Sequence, residues 1–128
     1  MDLDYSKIST KPFNETLAAI QNASVEHGFR VLHTHNVQQT LGEKGFAIDA
    51  YSIVEVCNAK YAYQVLSADK SIGMMLPCRI AVYEETGKTH VKLLKPTVIA
   101  EMMPSVELGG IPQEVEKILI DVVDAAVK

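Results

Sequence analysis

The sequence predicts a single α+β domain, one sheet covered by helices, with its elements in the order β-α-β-β-α-β-β-α. Three observations carry that prediction. Short runs of alternating β-branched residues are interleaved with apolar stripes at helical spacing, periods of about 2 and about 3.6 residues. Two successive strand-like runs flank Glu85-Thr86-Gly87-Lys88, a turn that makes them one hairpin. The chain has 128 residues, 48% hydrophobic and 22% charged. That suits one core burying roughly 65–70% of the unfolded surface, so the domain is expected to span 1–128.

Ser6 to Thr10 alternates like a strand. Ser9 or Thr10 can cap a helix over about 12–27, whose first turn admits Pro12 because an N-terminal N–H has no intrahelical acceptor. Phe13, Leu17, Ile20 and Ser24 share one face of that helix, with Val25 beside them, and Gly28 stops it. Phe29 to Asn36 reads as a strand, Val37 to Leu41 as a single helical turn, and Gly42 to Asp49 as a loop. Ala50 to Cys57 is a strand; Asn58 then caps a second helix, Ala59 to Ser67, turning Tyr61, Val65 and Leu66 to the core. Met75 to Glu84 is a strand with Leu76, Cys78, Ile80 and Val82 on one face, and Pro77 marks its end or a sheet edge. Thr89 to Lys95 returns with Val91 and Leu93 inward. Pro96 to Gly110 is expected to be irregular, broken by Pro104 and Gly109-Gly110. Pro112 opens the last helix, about 112–127, with Val115, Ile118, Leu119, Val122 and Ala126 as its apolar stripe.

Charge and targeting signals narrow the function classes. Twelve basic against sixteen acidic residues give −4, and the only arginines are Arg30 and Arg79. A surface that neutralises several phosphates needs clustered Lys and Arg, so nucleic acid is not an expected partner. No apolar run approaches the ~18–20 residues that span a bilayer, and no membrane partner is expected. The start, Met1-Asp2-Leu3-Asp4, lacks a positive and then apolar leader, and two cysteines are too few for a disulfide scaffold. A reduced cytoplasmic setting follows as the expectation.

Several residues carry chemistry worth weighing. Cys57 ends a strand directly before a helix start, where the dipole favours a thiolate nucleophile. Cys78 lies on the inward face of its strand, where a thiol packs as a small hydrophobe. Arg79, alternating outward, can hold an anionic or planar ligand beside Tyr51 or Tyr83; a surface salt bridge to Glu55 or Glu84 is the simpler reading. His33 and His35 lie on one strand face about 7 Å apart, a weak pair for zinc or copper that needs a third ligand. Met74, Met75 and Cys78 offer soft sulfur, but neighbouring methionines usually fill gaps in a core. Gly87-Lys88-Thr89 imitates the end of a phosphate loop, yet Val82 stands where the first glycine belongs and both flanks are strand.

Tyr51-Ser-Ile-Val-Glu-Val-Cys57-Asn58-Ala-Lys-Tyr61-Ala62, followed by Met75-Leu-Pro77-Cys78-Arg79-Ile-Ala-Val82-Tyr83-Glu84, resembles the domain of unknown function 302 family. Its members show a Cys-Asn-Pro strand-to-helix junction and then a Leu-Leu-Pro-Cys segment leading to Val-Tyr-Glu. Pro12-Phe13 through Glu26-His27-Gly28-Phe29-Arg30-Val31 is similar to the family's first helix and its Gly-Phe ending. The resemblance covers about 6–104. Ala59 departs from it, standing where the family has proline; that changes helix initiation and no chemistry. The resemblance implies a compact α+β domain, often a homodimer, of bacteria or archaea, and implies no established activity or cofactor.

The reading that results is a non-enzymatic, homodimeric binding or accessory module. Its small-molecule ligand would sit where strand ends meet a helix start, near Cys57, Asn58, Tyr61, Cys78 and Arg79. The alternative is a thiol-dependent redox or sulfur-handling protein using Cys57 and possibly Cys78. Metal binding through His33 and His35 stands below both.

Overall fold

The computed structural model of the chain describes residues 2–128. Strands β1 (Asp4–Ser9), β2 (Arg30–Asn36), β3 (Tyr51–Cys57), β4 (Cys78–Glu85) and β5 (Lys88–Leu94) form one antiparallel sheet in the order β1-β5-β4-β3-β2. Helices α1 (Phe13–Glu26) and α5 (Ile111–Ala126) cross one face of it. The short helices α2 (Val37–Gly42) and α3 (Ala59–Ala68) lie between strands in sequence, and α4 (Pro96–Met102) lies between β5 and α5. This is the predicted α+β architecture and order, with the helical turn read at Val37 to Leu41 present as α2, and with α4 and a 3-10 turn (Lys70–Met75) added.

The pleat sets the core. Along β3, Ser52, Val54 and Val56 are buried, and their cross-strand partners Val82, Ile80 and Cys78 face the same way. Val91 and Leu93 continue that layer on β5. Against it α5 lays Val115, Leu119, Val122 and Val123, while α1 adds Ile20 and Ala23. Burying one such Leu or Ile side chain contributes about 1.5–3 kcal/mol. A smaller satellite core, Val65, Ile72, Ile99 and Leu108, gathers α3, the 3-10 turn, α4 and the loop before α5.

Four expectations are corrected. Val25 is exposed and Ala23 takes the buried place, because a residue directly after Ser24 is turned about 100° away from it around the helix. Leu66 likewise lies outside the core while Val65 is inside. The fourth strand starts at Cys78 rather than Met75 and runs through the middle of the sheet. Pro77, which has no N–H for the ladder, stands just before it in a cis Leu76–Pro77 bond, and the residues up to Met75 form the 3-10 turn. Finally, Pro96 opens α4 at its first turn within the stretch expected to be irregular, and Val98 and Ile99 pack inward from it.

Turn chemistry agrees with the sequence. Thr86 and Gly87 both have positive φ and join the paired residues Glu85 and Lys88 as a two-residue hairpin loop, which rules out a phosphate loop there. Gly28 (φ +85°) closes α1. The Phe29 amide donates to the Ser24 carbonyl at 2.8 Å and the Gly28 amide to that of Val25 at 3.0 Å. This double closure needs a left-handed residue, and it drives Phe29 into the core.

Candidate functional site

The two cores do not close on each other completely. Between them lies an apolar cleft with about 60 Å³ of free volume, walled by α3, the Leu76–Pro77 bend, the start of α4 and the start of α5. Cys57, Asn58, Tyr61 and Cys78, four of the five residues singled out from the sequence, line it. Arg79 does not. It stands opposite Glu55 on the sheet face turned away from the main core, its Nε 3.5 Å from Glu55 Oε2, the surface ion pair that strand alternation anticipates.

Each lining residue is placed by a local device. Val56 pairs with Cys78 across β3 and β4, so the cysteine after Val56 and the cysteine opposite it come to the same end of the sheet. Both thiols are free. Burial pushes the Cys78 thiol up to about 11; the nearby Cys57 adds to the rise and Arg79 opposes it. Cys78 is therefore a protonated thiol at neutral pH.

Asn58 uses both ends of its amide. Its Oδ1 accepts from the Tyr61 amide at 3.2 Å, capping α3, and its Nδ2 donates to the Gly28 carbonyl at 3.1 Å. The clamp ties the ending of α1 to the beginning of α3 and fixes one wall of the cleft. Tyr61 sits a turn further on, its hydroxyl pKa raised by removal from water and then by the neighbouring Glu114.

Other walls carry no motif. Phe29, Ile72, Leu108, Ile111 and Val115 enter from segments far apart in the chain, each looking like any core residue in the sequence. Leu108 and Ile111 flank Gly109-Gly110, so their only local signal is an apolar residue on each side of a breaker.

The histidine pair lies elsewhere. His33 and His35 stack on β2 with ring centroids 6.2 Å apart, and His35 Nε2 meets Thr40 Oγ1 at 3.0 Å. Among the described residues no group of three or more His, Cys, Asp or Glu side chains is placed to hold a metal ion. No helix among the described residues is long and apolar enough to cross a membrane.

This geometry can take a small apolar group, beside two thiols, into a space enclosed by two cores. No curated protein matches the chain. Among solved structures it is similar to the crystal structure of an uncharacterized conserved DUF302 protein from Bacillus stearothermophilus. The two are 32% identical over 100% of each chain, with a TM-score of 0.91. The family model described as domain of unknown function DUF302 matches residues 5–126, from the first strand through the last helix, and the chain belongs to that family.

Proposed function

We propose that this protein is a non-enzymatic binding module, working as a homodimer, that takes a small apolar ligand in the cleft beside Cys57 and Asn58. The observation that carries the reading is the cleft itself, apolar on nearly every wall and placed where strand ends meet the start of α3. Its 60 Å³ sets the ligand's size, a few heavy atoms, since an apolar cavity of about 150 Å³ is what benzene needs. Dimerisation is supported by a sheet whose helices α1 and α5 lie on one side only. Two free cysteines suit a reducing compartment, and we place the protein in the cytoplasm.

Xenon is a probe of the right size. In a ¹⁵N-resolved spectrum under xenon pressure, amide shifts are expected to cluster at Cys57 to Ala62, Cys78 and Val115, and to vanish in Ala62→Phe, whose ring fills the cleft. Shifts that scatter through the core, or none at all, overturn the reading.

One observation favours a second reading: both thiols line the same cleft. In a redox role the Cys57 sulfur attacks an oxidised low-molecular-weight disulfide, releasing one thiol. Cys78 then displaces the second thiol and closes a Cys57–Cys78 bond, each protein thiol giving up its proton. After incubation with oxidised glutathione a mass loss of two hydrogens, reversed by reductant, supports this role. A stable mixed disulfide or no reaction removes it.

A further inference from the structure

Three helices begin at the cleft: α3 at Ala59, α4 at Pro96 and α5 at Ile111. A helix start carries partial positive charge and free N–H groups, so three together would ordinarily make an anion site. Here the donors are removed or already used. Pro96 and Pro112, which wall the cleft at the first turns of α4 and α5, have no N–H to offer. The Thr97 amide and hydroxyl both donate to Glu116 Oε1, at 3.2 and 2.6 Å. The Ile111 amide donates to the Leu108 carbonyl at 3.3 Å. On α3 the Tyr61 amide is taken by Asn58 Oδ1, and Asn58 Nδ2 donates to the Gly28 carbonyl. The other amides of that first turn, at Ala59 and Lys60, belong to residues that do not wall the cleft.

What the cleft keeps is acceptor capacity, and it lies on the solvent side. Tyr61 is half-buried on one wall, and Glu114 is exposed on α5 between Pro112 and Val115, two further wall residues. Removal from water first, and the Glu114 carboxylate second, raise the Tyr61 pKa. The phenol therefore holds its proton at neutral pH, and with that proton drawn to the carboxylate its oxygen is left to accept. An anionic head would give up its water beside Glu114 and Glu116 and find no donor in exchange. Resting on the reading of this cleft as a ligand site, we infer that its ligand is a short aliphatic alcohol or amine, with a head that donates hydrogen bonds to Tyr61 and Glu114, and that carboxylates and phosphates are excluded. The alkyl part, roughly three carbons, fills the 60 Å³ between the two cores while the head stays at the rim. The two prolines and the Glu116 cap are then specificity devices, because they silence helix starts that would otherwise favour an anion.

Three probes of nearly equal size test the assignment at pH 7 and constant ionic strength: n-propanol, n-propylamine as its ammonium ion, and propionate. In ¹⁵N-resolved titrations the amides of Cys57 to Ala62, Cys78 and Val115 are expected to shift and saturate with the alcohol and the amine. Propionate should bind at least about tenfold more weakly, since its desolvated charge gains no donor. Glu114→Gln, at an exposed position, should weaken the amine about threefold and leave the alcohol unchanged. Tyr61→Phe should weaken both, with circular dichroism as the check on folding; should it fail to fold, Glu114→Gln decides. Propionate that binds as tightly as propanol overturns this inference and leaves the cleft as an apolar site. So does xenon uptake without binding of any of the three probes, or affinities that neither variant changes. Failure of xenon and of all three probes alike overturns the reading of the cleft itself.

Discussion

The side-chain amide of Asn58 donates to the carbonyl of Gly28 at 3.1 Å while its oxygen caps α3, so one residue joins the end of the first helix to the start of the third across 30 positions of chain. Removing both bonds exposes the first turn of α3 and frees the Gly28 corner. Asn58→Ala is expected to lower stability by about 1–2 kcal/mol, read from the urea midpoint at constant slope. Asn58→Asp keeps the cap and loses the donor, and should cost less. Equal losses in the two variants would mean that the cap contributes nothing.

That clamp also marks the boundary of what the sequence reveals. The capping role of Asn58 is legible, because an Asn ahead of a helical pattern has one obvious use. Its bond to Gly28 is not, since nothing local says that residues 28 and 58 meet. The strands were readable because Val54, Val56, Ile80 and Val82 alternate, and alternation follows from the pleat. The cleft was half readable. Cys57 and Cys78 stood out by chemistry, whereas Ile72 and Leu108 are ordinary apolar residues whose meeting depends on tertiary packing. Arg79 was readable as outward-facing but not as excluded from the cleft, because alternation gives a face and does not say where a cavity opens.

The buried Cys78 thiol leads to a reactivity prediction. Its folded pKa is raised from 9.0 to about 11, so folding favours the protonated form. The stability this contributes is complete below about pH 9 and is lost as pH rises toward 11. At pH 8 the folded protein holds roughly 100-fold fewer Cys78 thiolates than the unfolded chain. Iodoacetamide labelling followed by peptide mapping should leave Cys78 unmodified when folded and labelled in urea. Equal rates in both states would show that the thiol is open to solvent.

Leu119 is fully buried on α5 at the centre of the main core. Leu119→Ala removes its contacts with the sheet and leaves a cavity, and is expected to cost about 2–5 kcal/mol. Met102, exposed at the end of α4, provides the contrast: Met102→Ala should change stability by less than about 0.5 kcal/mol. Thermal unfolding of the two variants side by side checks both values. Similar shifts would contradict the division between core and surface.

Tyr5 and Asp124 join the two ends of the fold: the Tyr5 hydroxyl on β1 donates to the Asp124 carboxylate on α5 at 2.6 Å. That bond first, then burial and the negative charges of Asp124 and Asp121, push the Tyr5 pKa from 10.0 up to about 12. Because the folded value is the higher, the bond's contribution is present in full below about pH 10 and disappears as pH climbs through 12. Of the chain's five tyrosines, Tyr5 should be the late-ionising component in absorbance at 295 nm, and Tyr5→Phe should remove it. The same substitution should cost about 1 kcal/mol at pH 7, a modest figure because the pair is only half-buried and screened by water. Near pH 12 the two proteins should be equally stable, since an ionised Tyr5 no longer donates. A stability difference that persists unchanged to that pH would assign the effect to packing of the ring, and the hydroxyl would lose its role in fastening β1 to α5.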